Sequence, residues 1–282
     1  MRFHNPNAEI YVPDGSAAEY ALSRTTHLGV AAHQDDLEIM TYHGILECFG
    51  QAEKHFTGVT VTNGAASPRG GLYAAYTDEE MQKVRRVEQK KAAVLGEYSA
   101  QVFLDYPSPP VKDPANVEVI EDLKKLLLAA KPHVVYTHNL ADKHDTHVAT
   151  ALRVIQALRE LPREVRPQRL YGSEVWRSLD WMNDEDKVVF NVEAHENLAA
   201  ALLGVFDSQI CGGKRYDLAT MGRRRANATY FTAYSVDAST SLSFGMDLTP
   251  LIENDQLDVR PYVAGFIERF AAEVSHRLAK LI

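Results

Sequence analysis

The chain has 282 residues, with 30 Lys and Arg against 38 Asp and Glu, for a formal net charge of −8 with histidine neutral. That surplus argues against nucleic acid as a partner, because phosphate-backbone binding is driven by basic patches that release counterions. Apolar residues make up 45% and charged residues 24%, the range of an ordinary globular chain rather than a disordered one.

Strand-like and helix-like patterns alternate along most of the length, which predicts an α/β fold. The expected form is a Rossmann-like, mainly parallel sheet with helices on both faces. Residues 27–32 are short and almost wholly apolar, as a buried parallel strand should be. A helix follows, with Leu37, Met40, Gly44 and Cys48 at three- and four-residue spacing and Gly50 suited to its end. The β-branched run 56–62 is the second strand. The connection from Asn63 to Tyr76, about 14 residues, exceeds ordinary lengths and reads as a substrate loop or lid.

Thr77-Asp-Glu-Glu80 is a capping box that opens the next helix; its apolar face is Met81, Val84, Ala92 and Leu95, and Gly96 closes it. Residues 101–105 form a third strand. A helix marked by Ile120, Leu123 and Leu127 stops at Pro132. Residues 133–138 form a fourth strand, and a helix runs from about Thr146 to Leu161. Strand patterns at 168–176 and 187–193 continue the sheet, and a helix at about 195–208 leads into the Arg-rich stretch 214–225. Pro261 suits a last helix start, with Val263, Ile267, Phe270, Val274 and Leu278 as its stripe.

No composition break marks a linker, so a single domain over 1–282 is expected. Residues 1–26 are then an N-terminal extension, and about 236–282 a C-terminal addition ending in a helix. No apolar run approaches the ~18–20 residues of a bilayer span, and the N-terminus lacks the basic-then-apolar plan of a signal peptide. With only Cys48 and Cys211, a cytoplasmic location is expected. A homo-oligomer is left open.

Eleven histidines are more than expected, and several sit where a parallel sheet binds ligands, at the carboxyl ends of its strands. Ala32-His33-Gln34-Asp35-Asp36 follows the first strand; His138 to His147 follows the fourth. Zinc accepts imidazole nitrogen and carboxylate oxygen, and catalytic zinc sites keep three protein ligands plus water. His33 and Asp36 can both reach one ion from a strand-to-helix turn, and His147 can supply a third ligand. His144 reaches the same cavity, and Asp35 remains as a carboxylate beside the metal-activated water. This is the equipment of metal-assisted hydrolysis. Adjacent Asp35 and Asp36 could equally be a helix N-cap with a favourable dipole interaction.

At these residues the chain resembles the PIG-L/LmbE-like zinc-dependent N-deacetylases, which remove acetyl groups from N-acetylglucosamine-type sugars. The resemblance extends to Thr62-Asn63-Gly64, Arg85-x-x-Glu88, Phe103-Leu104-Asp105 and Ser208-Gln209, and so covers roughly 27–210. It implies one Zn²⁺ on His33, Asp36 and His147, or another divalent ion, with Asp35 as general base. It makes His144 the group that stabilises the oxyanion or protonates the leaving amine. Arg85, and more weakly Asp105, would contact substrate; His138, at the rim, reads as a substrate contact or a support for the ligands. Gln34 stands where relatives usually have proline, and His144-Asp-Thr-His147 departs from the usual His-Pro-Asp-His. Either Asp145 or Asp142 is then expected to orient the His144 imidazole and raise its pKa.

The implied partner is a small N-acetylated sugar or sugar conjugate. The alternatives are a non-catalytic sugar- or metal-binding α/β protein and a metal-dependent phosphoesterase. Glu38 reads as helix-dipole support, His43 as a packed or surface histidine, and Arg223-Arg224-Arg225 as a solvated helix face. Tyr73 and Tyr76 suit either a sugar-stacking pair or a loop anchor.

Overall fold

A computed structural model describes residues 1–282. In chain order the strands are β1 (Glu9–Tyr11), β2 (His27–Ala31), β3 (Phe56–Thr62), β4 (Ala100–Tyr106), β5 (Val134–His138), β6 (Arg169–Ser173), β7 (Val188–Asn191) and β8 (Leu242–Asp247). They form one sheet in the order β1-β4-β3-β2-β5-β6-β8-β7. The five strands β4-β3-β2-β5-β6 are parallel. β1, β8 and β7 add antiparallel at the two sides.

The parallel order is that of a Rossmann half-sheet. The chain leaves β2 toward β3 and β4 on one side and returns to β5 and β6 on the other. The direction reverses between β2 and β5, so a crevice opens at their carboxyl ends, where ligands bind in such sheets.

The helices are α1 (Ala18–Ser23), α2 (Asp36–Met40), α3 (Tyr42–Cys48), α4 (Asp78–Leu95), α5 (Ser108–Lys112), α6 (Glu118–Ala130), α7 (Asp145–Arg159), α8 (Glu196–Gly204), α9 (Asp207–Ile210), α10 (Tyr216–Tyr230), α11 (Pro250–Glu253) and α12 (Val259–Leu281). They cover both faces because strand side chains alternate. Leu28, Val30, Val59, Val61, Val102 and Val135 share one core with Leu123 and Leu127 of α6 and Val154 and Leu158 of α7. Ala31, Phe56 and Tyr136 point the other way, into a core with Leu37, Ile45, Leu198 and Leu202. The Thr77 capping box forms as expected, with both reciprocal hydrogen bonds present.

Several expectations need correction. The helix expected from Asp36 to Cys48 is broken at Thr41, whose hydroxyl donates to the Leu37 carbonyl 2.7 Å away, a bond that competes with helix continuation. The Arg224 guanidinium takes the Glu38 and Ile39 carbonyls, which a continuous helix would have used. The stretch expected as one helix at 195–208 is likewise two, α8 and α9. Residues 1–26 and the C-terminal segment each contribute a strand, β1 and β8, with β8 lying between β6 and β7. Sequence alternation alone missed both. The α12 stripe is only partly covered: Val263 and Phe266 pack against the core, whereas Ile267, Val274 and Leu278 are exposed. No helix is long and apolar enough to cross a membrane.

Candidate metal centre and active site

The crevice at the ends of β2 and β5 holds the expected constellation. β2 stops at Ala31, and Asp35 adopts φ 90° and ψ −30° before α2 begins. A positive φ is strained for a residue with a side chain and persists only where surroundings enforce it. Here the Asp35 amide donates to Gln89 Oε1, and Gln89 in turn donates to Glu38. Tyr98 donates to the same Glu38 oxygen at 2.7 Å. Glu38 is fully buried, and desolvation pushes its carboxyl up to about 7. Its role is therefore to anchor this network, which corrects the helix-dipole reading.

Three ligand atoms converge. His33 Nδ1 lies 3.1 Å from Asp36 Oδ2 and 3.2 Å from His147 Nε2, and His147 Nε2 lies 3.4 Å from Asp36 Oδ2. Tetrahedral coordination at bonds of about 2.0–2.1 Å gives ligand-to-ligand edges of about 3.3 Å. The triangle therefore has the size that one zinc-like ion requires. Asp36 is held well below the usual carboxylate range: burial opposes this, and the His147 and His138 imidazoles beside it prevail. His147 is raised; burial acts against that shift, and Asp36 and Asp142 outweigh it.

The remaining histidines divide. His138 is fully buried, and its Nε2 accepts from the Ala32 amide at 2.8 Å. Its ring stacks on His147 at 4.0 Å, and burial lowers its pKa to about 4. With that lone pair engaged and no exposed surface, His138 lies behind the cavity wall, beside Asp36 and His147. His144 is half-buried, stacks on His147 at 4.5 Å and meets the His33 ring edge-on at 5.1 Å. Its Nδ1 has no partner. Burial, His147 and His33 together lower its pKa, the opposite of the expected direction.

The reason lies in where the carboxylates point. Asp145 is exposed. Asp142 accepts the His144 backbone amide, not its ring, and its other oxygen lies 3.4 Å from His147 Nδ1. Asp142 therefore lies beside the His147 ring, at a distance short of a formed hydrogen bond, and not beside the His144 ring.

Asp35 is buried, with Arg85 Nη2 at 3.6 Å from its Oδ2. Desolvation pushes its carboxyl up, and Arg85 opposes that shift. Arg85 also donates to the Gln34 carbonyl, while its Nε and Nη1 have no partner. Its contacts are thus to the Gln34–Asp35 turn. Asp105 does not reach the cavity. It pairs with Arg86 at 2.6 Å and borders a separate hollow formed with Asn5 and Asn7.

The cavity around the triad measures about 370 Å³. Gly64, Ala65, Ala66, Ser67 and Pro68 of the long loop form one wall, as a substrate loop should. Tyr73 is the loop's anchor, donating to Asp207 at 2.6 Å. Glu88 accepts the Ser208 amide and hydroxyl, both at 2.7 Å, and so fixes the segment that carries Gln209 to the cavity. Lys112, Trp176, Lys214 and Tyr216 also line it. Sequence spacing gave no sign of these four, because they come from three distant segments, Lys214 and Tyr216 sharing one. The Arg223–Arg225 run is not one solvated face either. Arg224 is buried over the Tyr42 ring, Arg223 donates to the Val175 carbonyl, and only Arg225 is exposed.

The family described as PIG-L: GlcNAc-PI de-N-acetylase matches residues 28–158. No curated protein matches the chain in sequence. Among solved structures, the N,N′-diacetylchitobiose deacetylase of Pyrococcus horikoshii is 15% identical, covering 82% of this chain and 86% of its own, with a TM-score of 0.62. A conserved protein of Thermus thermophilus is 18% identical over 84% and 98%, with a TM-score of 0.61. The 4-carboxy-2-hydroxymuconate hydratase of Pseudomonas putida is 16% identical over 79% and 96%, with a TM-score of 0.60. One fold thus carries both a deacetylase and a hydratase, and the reaction must be argued from the site. Over residues 28–158 the chain is therefore similar to the PIG-L family, and the solved structures share its fold.

Proposed function

We propose that the protein is a zinc-dependent hydrolase that removes the acetyl group from an N-acetylglucosamine-type sugar or sugar conjugate. The observation that carries this reading is the 3.1–3.4 Å triangle of His33 Nδ1, Asp36 Oδ2 and His147 Nε2 with the buried Asp35 carboxylate beside it. Two imidazoles and one carboxylate are a donor set that suits zinc and leaves room for water. A divalent ion held there supplies Lewis acidity to the amide carbonyl and makes water nucleophilic near neutral pH.

Asp35 takes the proton from the attacking water. Burial alone would keep its carboxyl protonated, whereas Arg85 and the positive charge of a metal site both favour its basic form. The His144 imidazole, half-exposed and lining the cavity, donates a hydrogen bond to the oxygen that becomes negative as water adds to the carbonyl carbon. The C–N bond then breaks. The nitrogen leaves as the amine with the proton returned from Asp35, and the acetyl group leaves as acetate.

Asp35 and Asp36 are the cavity's only carboxylates, too few to bridge two metals as phosphoesterases of that type require. A non-catalytic binding role leaves a buried, strained Asp35 without a use. The deciding measurement is acetate release from N-acetylglucosamine and its glycosides, with and without a chelator, beside metal content in His33→Ala and His147→Ala. Release that stops with chelation, together with metal loss in both variants, is expected. Metal content unchanged in both variants would end this assignment.

A further inference from the structure

Arg224 is 2% exposed, yet of the arginines 223–225 only Arg225 forms an ion pair, with Glu196. The Arg224 guanidinium carbon lies 4.4 Å from the centroid of the Tyr42 ring, and Nη2 donates to the Glu38 and Ile39 carbonyls at 2.7 and 3.3 Å. Its Nε and Nη1 are buried without a partner. Burial pushes its pKa down to about 10, so the group is still a cation at neutral pH. A buried charge ordinarily has an opposite charge beside it. Here neither the ring nor the carbonyls supply one.

Arg224 lines a cavity of about 30 Å³ where α2, β6, α10 and β8 meet. Ser173, the last residue of β6, lines it too, and its buried hydroxyl has no partner. Arg177 and Arg223 add to the positive side. The single carboxylate in the lining is Glu174, and both its oxygens are taken. Oε2 accepts the Leu179 amide at 2.8 Å, and Oε1 accepts the Trp181 indole N–H at 3.0 Å. The arginines therefore leave a net positive charge around a space that fits one small ion. Arg177 and Arg223 also border a larger hollow of about 1060 Å³, which gives the ion a way in.

We propose that this cavity binds one halide ion, chloride under ordinary conditions, held by Nε and Nη1 of Arg224 and the Ser173 hydroxyl. The proposal is independent of the deacetylase reading. A monatomic anion accepts from several donors at once and supplies the missing charge in a space too small for phosphate or sulfate. Water satisfies the donors but leaves the charge unmatched. The ion fixes the guanidinium whose other edge holds the Glu38 and Ile39 carbonyls of α2, the helix that begins at Asp36. Halide binding thereby clamps α10 onto the helix that follows the Asp35 turn.

Crystals of the metal-loaded protein grown in bromide place the ion by anomalous scattering at the bromine edge. A peak between Arg224 and Ser173 is expected. No peak there, with water alone in the cavity, overturns the proposal. Occupancy in solution is read from urea unfolding at a constant ionic strength of about 0.15 M, with chloride replacing gluconate. Above the dissociation constant, each tenfold rise in chloride should lower the unfolding equilibrium constant about tenfold. Arg224→Gln should abolish that dependence. A dependence that survives comes from the metal or from general salt effects, and overturns the proposal. If Arg224→Gln does not fold, Ser173→Ala takes its place. It should raise the chloride concentration needed about 10–100-fold, the worth of one hydrogen bond to a charged group; an unchanged requirement overturns the proposal. A bromide peak without any chloride dependence marks an adventitious ion only, and likewise ends the assignment.

Discussion

The Asp142 carboxylate lies 3.4 Å from Nδ1 of His147, whereas it touches His144 only through the backbone amide, at 3.0 Å. A carboxylate behind a ligating imidazole fixes its tautomer and orientation and raises its basicity. Asp142 is itself held down to about 2; burial acts the other way, and the His147 imidazole and the His144 amide overcome it. Asp142→Asn should therefore weaken metal affinity about 10–100-fold, read by competition with a chromogenic chelator. An affinity equal to wild type would detach Asp142 from the metal centre.

Asp35→Asn should keep the metal and lose turnover about 10²–10⁴-fold, the usual contribution of a general base. The amide preserves shape and the Gln89 contact to the backbone but cannot take a proton. Metal analysis and acetate release on the same preparation check both halves. Turnover within a few-fold of wild type would remove Asp35 from the mechanism.

His144→Ala should retain metal while turnover falls about 10²–10³-fold, the cost of losing one donor to an oxyanion. No carboxylate holds its ring, and its pKa is lowered by burial and its two imidazole neighbours. In the proposed mechanism it would accordingly donate as a neutral imidazole. Loss of metal with the side chain would make His144 a ligand.

His27, at the start of β2, sits away from the centre and reports on stability. Burial pushes its pKa down from 6.5 to about 4. As pH falls below 6.5 the unfolded chain takes a proton that the folded chain refuses. Stability is therefore full above about pH 6.5 and is lost progressively toward pH 4, by about 3 kcal/mol. Urea unfolding of wild type and His27→Gln at pH 7 and pH 4.5 isolates this effect. The variant should lose less stability between the two, and equal losses would contradict the assignment.

Gly44 in α3 lies beneath the buried Tyr136 ring, and an added Cβ would come 2.6 Å from a ring carbon. Gly44→Ala should destabilise by about 1–3 kcal/mol, the cost of overpacking a filled core, measured as a shift in the urea midpoint. A midpoint at or above that of wild type would show that the ring can move.

Much of the fold and of the candidate metal centre is legible in the chain itself. The apolar runs at 27–32, 56–62 and 133–138 mark buried parallel strands, because burial on both faces leaves no room for polar alternation. The chain direction of those units puts the His33 and His147 clusters at one edge, and spacing plus donor chemistry then selects His33, Asp36 and His147. The Thr77 capping box and the Gly96 stop are local hydrogen-bond chemistry, and local sequence determines them.

What only the tertiary structure decided is what depends on contacts between distant segments. Asp142 lies beside the His147 ring rather than the His144 ring because the ring orientations are set by packing around β5 and α7, which spacing does not encode. His138 is buried behind the cavity wall, where its Nε2 accepts from the Ala32 amide of a neighbouring segment. Asp105 turns to Arg86 rather than the cavity. β1 and β8 are short strands that exist by pairing with β4 and with β6 and β7, and their own residues carry little periodic signal. Ser173, Arg223 and Arg224 gather at one small cavity because the β6 end and α10 converge on α2 there, a convergence that burial and backbone hydrogen bonding set and that no single stretch of sequence contains.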